Sequence, residues 1–120
     1  IDGITWNLTG NSDMLPWRMG GKSITNVDRT LYSKTQMTSA VSKVVLSIGT
    51  MTSITVNSAE LLIADNADFS NATAVSFTPK ADAEVEIPVT APAGSYYKFV
   101  FNVTVSVSSN KFIQIKQIDF

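Results

Sequence analysis

The chain has neither cysteine nor histidine. Without cysteine there is no disulfide framework and no thiolate metal site. Without histidine there is no Ser-His-Asp or Cys-His nucleophile–base pair and no His-based zinc centre. These absences remove the standard hydrolase and zinc-enzyme classes, and the reading is of a protein that is not an enzyme. Charge is also sparse, 16% of residues, with a net value of −1. That balance argues against a general nucleic-acid binder, which needs a basic excess. No run of about 18 apolar residues occurs, so no helical transmembrane segment is predicted. The sequence opens at Ile1 directly into strand-like residues with no secretory leader, as expected of a mature or excised domain.

What is present is a β-pattern. The 120 residues are 44% hydrophobic, enough for one domain with a core of its own. From Tyr97 to Val107 an apolar side chain occupies every second position, interrupted by Val100. Period-two alternation over that length describes a strand with one buried face. It predicts that Phe99, Phe101, Val103 and Val105 are buried together. Ser108 to Asn110 reads as a turn and Lys111 to Phe120 as a returning strand. Ile113 and Ile115 share one parity there and Ile118 and Phe120 the other, which calls for a bulge near Lys116 or Gln117.

Upstream, Val85, Ile87 and Val89 alternate, and Pro88 restricts that strand to an edge. Val44, Leu46 and Ile48 form another strand. Ile54 and Val56 share a face with Leu61 and Ile63 only if the parity slips between Asn57 and Glu60. A short strand is expected at Thr73 to Phe77 and a first one around Ile4, Trp6 and Leu8. Gly10 to Lys22 is Gly-rich and reads as a long ordered loop, closed by Met14, Leu15 and Trp17 packing inward. Eight or nine short strands predict an all-β, two-sheet antiparallel sandwich over 1–120, arranged as a jelly roll.

Two segments carry a resemblance. One runs from Trp17 through Gly20-Gly21-Lys22 to Ser33; the other is Tyr96 to Thr104, followed by Ser109-Asn110-Lys111-Phe112. Together they resemble an uncharacterised β-sandwich domain, similar to galactose-binding-like jelly rolls, of secreted and cell-surface proteins of Bacteroidetes-type bacteria. The resemblance implies a secreted or cell-surface module with neighbouring domains as partners. It brings no catalytic or ligand residues.

Candidate sites follow from residue chemistry. A sugar site needs an exposed aromatic face beside fixed polar groups. Trp6, Trp17, Tyr32, Tyr96 and Tyr97 are the aromatic candidates, of which Trp6 and Tyr97 share parity with apolar neighbours and are assigned to the core. Tyr96 lies on the opposite face and Trp17 in the Gly-rich loop. These two are the proposed stacking residues, beside Arg18, Lys22 or Asn26. Arg18 or Arg29 is also expected to pair with Asp28 or another carboxylate and fix the long loop. Asp65 and Asp68 sit in a polar loop whose oxygens would suit calcium, although its spacing is not that of an EF-hand and a hydrogen-bonded hairpin loop is the simpler reading. No other cofactor is expected. Asp82, Glu84 and Glu86 alternate along one strand and read as edge protection, not as a glycosidase pair. Asn7, Asn71 and Asn102 head Asn-X-Thr triplets that arise by chance in so Asn- and Thr-rich a chain. The functional expectation is a non-catalytic extracellular module that binds a poly- or oligosaccharide. The alternative is a structural or protein-interaction module with no small ligand.

Overall fold

The computed structural model describes residues 6–8 and 17–120, with side chains described at 18 and from 20 onward. Nine strands occur among these residues: β1 (Trp6–Leu8), β2 (Trp17–Gly21), β3 (Ile24–Ser33), β4 (Val41–Ile48), β5 (Thr55–Ala64), β6 (Thr73–Ser76), β7 (Ala83–Ala91), β8 (Tyr96–Val105) and β9 (Lys111–Asp119). They form a five-stranded sheet, β1-β3-β8-β5-β6, and a four-stranded sheet, β2-β9-β4-β7. Every pairing is antiparallel. No helix among the described residues is long and apolar enough to cross a membrane.

The connectivity is nested. β5 pairs β6, β4 pairs β7, β3 pairs β8 and β2 pairs β9, and successive pairs fall in alternate sheets. Eight strands paired in this way form a two-sheet antiparallel sandwich, with β1 added beside β3.

The alternation read from the sequence is the reason the sheets pack. Tyr97, Phe99, Phe101, Val103 and Val105 are each 0% exposed, and Leu31 and Leu61 flank them on β3 and β5. Val44, Leu46, Ile87, Ile113, Ile115 and Ile118 face them from the four-stranded sheet in one continuous core. β8 ends at Val105, not Val107, which is exposed.

Two expected irregularities are present. Ser47 pairs with Gln117 and Ile48 with Ile115, so Lys116 is the extra residue that brings Ile118 onto the buried face. Val56 pairs with Val103 and Ser58 with Asn102, so Asn57 is extra in β5 and restores Leu61 and Ile63 to the core. Pro88 lies on β7, an edge strand, as its missing N–H requires. Glu84 and Glu86 line the same edge in solvent, with Asp82 just before it.

The expected loop from Gly10 to Lys22 is corrected in part. Residues 17–21 are strand β2, zipped to β9 from Trp17↔Ile115 to Gly21↔Lys111. A glycine pair favoured the loop reading, but Gly20 belongs inside the strand. A Cβ there would come within 2.7 Å of Phe112 Cα, so only glycine lets β2 lie this close to β9. The expected first strand is present at Trp6–Leu8, while the expectations for Ile4, Met14 and Leu15, and for the side chains of Trp6 and Trp17, fall outside the described residues.

Candidate functional site

The outward residues of the five-stranded sheet form a polar and aromatic strip. Tyr96, Lys98, Val100, Asn102 and Thr104 alternate with the buried row of β8, and each is half-buried. Tyr96 and Thr104 are eight residues apart, so the strip is about 27 Å long. Cross-strand register adds Tyr32 and Leu62 on either side of Lys98, and Asp28 and Ser58 on either side of Asn102.

The end of the strip near Tyr96 is aromatic. Phe69 comes from the β5–β6 loop, and that loop is shaped by Asn66. The Asn66 Oδ1 accepts the N–H groups of Asp68 and Ser70 at 3.1 and 3.0 Å, and its Nδ2 donates to Asp65 Oδ1 at 2.9 Å. Phe69 then takes a left-handed φ of 56° and reaches over the sheet. Its ring stands edge-on to Tyr32 at 6.4 Å and to Tyr96 at 6.5 Å. The Lys98 ammonium lies 6.0 Å from the Tyr32 centroid and 5.5 Å from that of Phe69, within range of a cation–π attraction to both.

Amides gather at the other end. Two bulges flank β8 at one level: Asn57 is extra in β5, and β3 slips between Ile24 and Val27 with Asn26 at φ 51°. A bulge re-aims a side chain, and here both asparagines turn onto the outer face. Asn57 Nδ2 lies 2.9 Å from each of Asn26 Oδ1, Asn102 Oδ1 and Thr104 Oγ1. Asn102 Nδ2 donates to Asp28 Oδ1 at 2.9 Å. One amide nitrogen carries two hydrogens, so three acceptors at one distance leave lone-pair capacity for an incoming hydroxyl. Beside this cluster, where β6 has ended, lies a groove of about 350 Å³ with polar residues (Asn57, Ser58, Thr78) and apolar ones (Val56, Phe77, Pro79) in its lining.

The sequence-derived candidates therefore divide. Tyr96 and Asn26 share this face at opposite ends. Arg18 lies on β2 in the other sheet, with its guanidinium 5.1 Å from the Phe112 ring centroid. Lys22 is exposed in the turn between β2 and β3. Trp17 is strand residue across from Ile115. The expected pairing of Asp28 with an arginine is corrected. Consecutive strand residues point to opposite faces, so Asp28 meets Asn102 outside while Arg29 turns inward and donates from Nε to the Gly20 carbonyl at 2.8 Å. The loop with Asp65 and Asp68 is held by Asn66, and no group of three metal-ligating carboxylates, histidines or cysteines occurs among the described residues.

Phe69, Lys98 and Asn57 were not singled out from the sequence as site residues, and Tyr32 stood only among the five aromatic candidates without a place on this face. The parity slip at Asn57 was the available signal for one of them, since an extra strand residue has to point somewhere. Tyr32 and Lys98 needed the β3–β8 register, and Phe69 needed the loop conformation. No family model, curated protein or solved structure matches this chain.

Proposed function

We propose that this domain is a non-catalytic carbohydrate-binding module and that the outer face of its five-stranded sheet is the binding surface. One observation carries the reading: an aromatic cluster and an amide cluster lie on the same open strip. A pyranose offers an apolar ring face and a rim of hydroxyls, and a site for it needs both kinds of partner. The length of the strip favours an oligo- or polysaccharide over a monosaccharide. A secreted or cell-surface setting, with neighbouring domains as partners, is supported by the resemblance of the Trp17–Ser33 and Tyr96–Phe112 segments to surface modules.

Titration calorimetry against a panel of neutral plant and host glycans tests this. Tyr96→Ala and Asn57→Ala are each expected to weaken binding about tenfold, a loss of about 1.4 kcal/mol, with the melting temperature of Tyr96→Ala close to wild type. Absence of binding by the wild type moves the preference to a structural or protein-interaction module. A shallow cavity of about 610 Å³ between the ends of β4 and β7 favours that second reading, because Ala40, Val41, Val89, Ala91 and Pro92 make its lining largely apolar.

A further inference from the structure

The opposite sheet carries a separate concentration of charge. β2 presents Arg18, the turn that follows presents Lys22, and β9 opens with Lys111 across from Gly21. Backbone bonds fix this arrangement. The Ser23 N–H donates to the Val107 carbonyl at 2.9 Å, which holds the Lys22 turn against the segment leading into Asn110 and Lys111. Gly20 admits β2 close to Phe112, and the Arg18 guanidinium lies over that ring. Beside the ring is a cavity of about 180 Å³ lined by Thr50, Thr52, Asn110, Lys111 and Phe112.

Arg18, Lys22 and Lys111 form no ion pair among the described residues, where the pair present is Lys43–Glu86 on the far side of the sheet. The acids of this sheet lie away from them: Glu84 and Glu86 along β7, at the opposite edge, and Asp119 at the far end of β9 from Lys111. Lys111 lines this small hollow with Thr50, Thr52 and Asn110, Arg18 lies over the Phe112 ring in its wall, and Lys22 is exposed in the adjoining turn, in a chain whose net charge is −1.

We propose that this edge is an anion-binding site and that its ligand is the carboxylate or sulfate substituent of an acidic polysaccharide. The cavity is smaller than the several hundred Å³ of ordinary small-molecule pockets, which suits a substituent on a larger ligand. A lining that joins the Phe112 ring to Thr52 and Asn110 suits a saccharide. A nucleic acid fits less well, because the Phe112 face that would stack a base is covered by Arg18. The site rests on the carbohydrate reading only for the class of ligand and shares no residue with the aromatic strip.

Affinity chromatography and calorimetry of the whole chain on polygalacturonate and dextran sulfate test the proposal, with unmodified dextran as the neutral counterpart and a single-stranded oligonucleotide as a second polyanion. Binding to the acidic polymers is expected to weaken with rising salt as bound counterions are released. Lys22→Gln with Lys111→Gln is expected to weaken it by about tenfold or more, and Arg18→Gln by a similar factor. The control pair Lys34→Gln with Lys80→Gln is expected to leave it within about twofold. Equal loss in the control pair, or equally tight binding of the oligonucleotide, overturns the assignment. So does failure of wild type to prefer the acidic polymers over dextran. Neutral-glycan binding through Tyr96 is read in its own titration, so either site can fail alone.

Discussion

Asp28 and Arg29 adjoin in the chain, and the pleat of β3 sends them to opposite sides. Asp28 is an exposed acceptor for Asn102, so Asp28→Ala is expected to cost less than about 1 kcal/mol. Arg29 bridges the two sheets through the Gly20 carbonyl with a charge-assisted bond, and Arg29→Met is expected to cost about 2 kcal/mol in chemical denaturation. The larger loss belongs to the residue whose bond lies between the layers. Tyr97 poses the reverse case. Its ring is 0% exposed and packs 4.9 Å from that of Phe120, yet its hydroxyl finds no hydrogen-bond partner among the described residues. Removing an unsatisfied buried group relieves its desolvation, so Tyr97→Phe is expected to raise stability by about 1 kcal/mol. Burial also pushes the Tyr97 phenol above its ordinary pKa of 10.0. The folded state then holds this proton more tightly than the unfolded state. Stability from this group is complete below pH 10.0 and is lost as pH rises through the higher folded value. Denaturation midpoints measured across the alkaline range should fall less steeply in Tyr97→Phe than in wild type.

At the scale of the element, the sequence was most legible where one face of a strand is buried and the other wet. β8, β4 and the first half of β9 announce themselves by parity, and the bulges at Asn57 and Lys116 by its failure. β2 was illegible because two of its five residues are glycines, which carry no side chain to reveal an alternation. The aromatic end of the candidate strip was illegible for a different reason: Phe69 arrives from a loop whose shape is set by hydrogen bonds to Asn66, and hydrophobic periodicity does not encode those. Two tests belong here. Gly20→Val should separate β2 from β9 and cost more than about 2 kcal/mol, since the neighbour in the way is backbone and cannot rotate aside. Glu84→Val with Glu86→Val removes the charges on the β7 edge, and light scattering at rising concentration should then report association that wild type does not show.

For the molecule as a whole, the nested pairing orders the closures by length. Ile63 and Thr73 are ten residues apart, while Gly21 and Lys111 are ninety apart. The cost of closure grows with the logarithm of loop length, and folds dominated by distant pairs fold in milliseconds to seconds. The β5–β6 hairpin and its contacts with β8 are expected to form before β2 meets β9. In stopped-flow chevrons, Leu61→Ala should therefore slow refolding, while Ile113→Ala should mainly speed unfolding. The outermost pair also decides how the domain bears tension. Arg18 and Gln114 stand directly opposite each other across β2 and β9, whereas Arg18 and Lys111 lie toward opposite ends of the same ladder. A pull between the first two loads the hydrogen bonds one after another, as in opening a zip. A pull between the second two loads them together in shear. The absence of native cysteine makes thiol handles at these positions unique, so optical tweezers can apply both geometries to one fold. The pair Arg18→Cys and Gln114→Cys should yield at the lower force, and a chain anchored through that corner would peel open gradually under load.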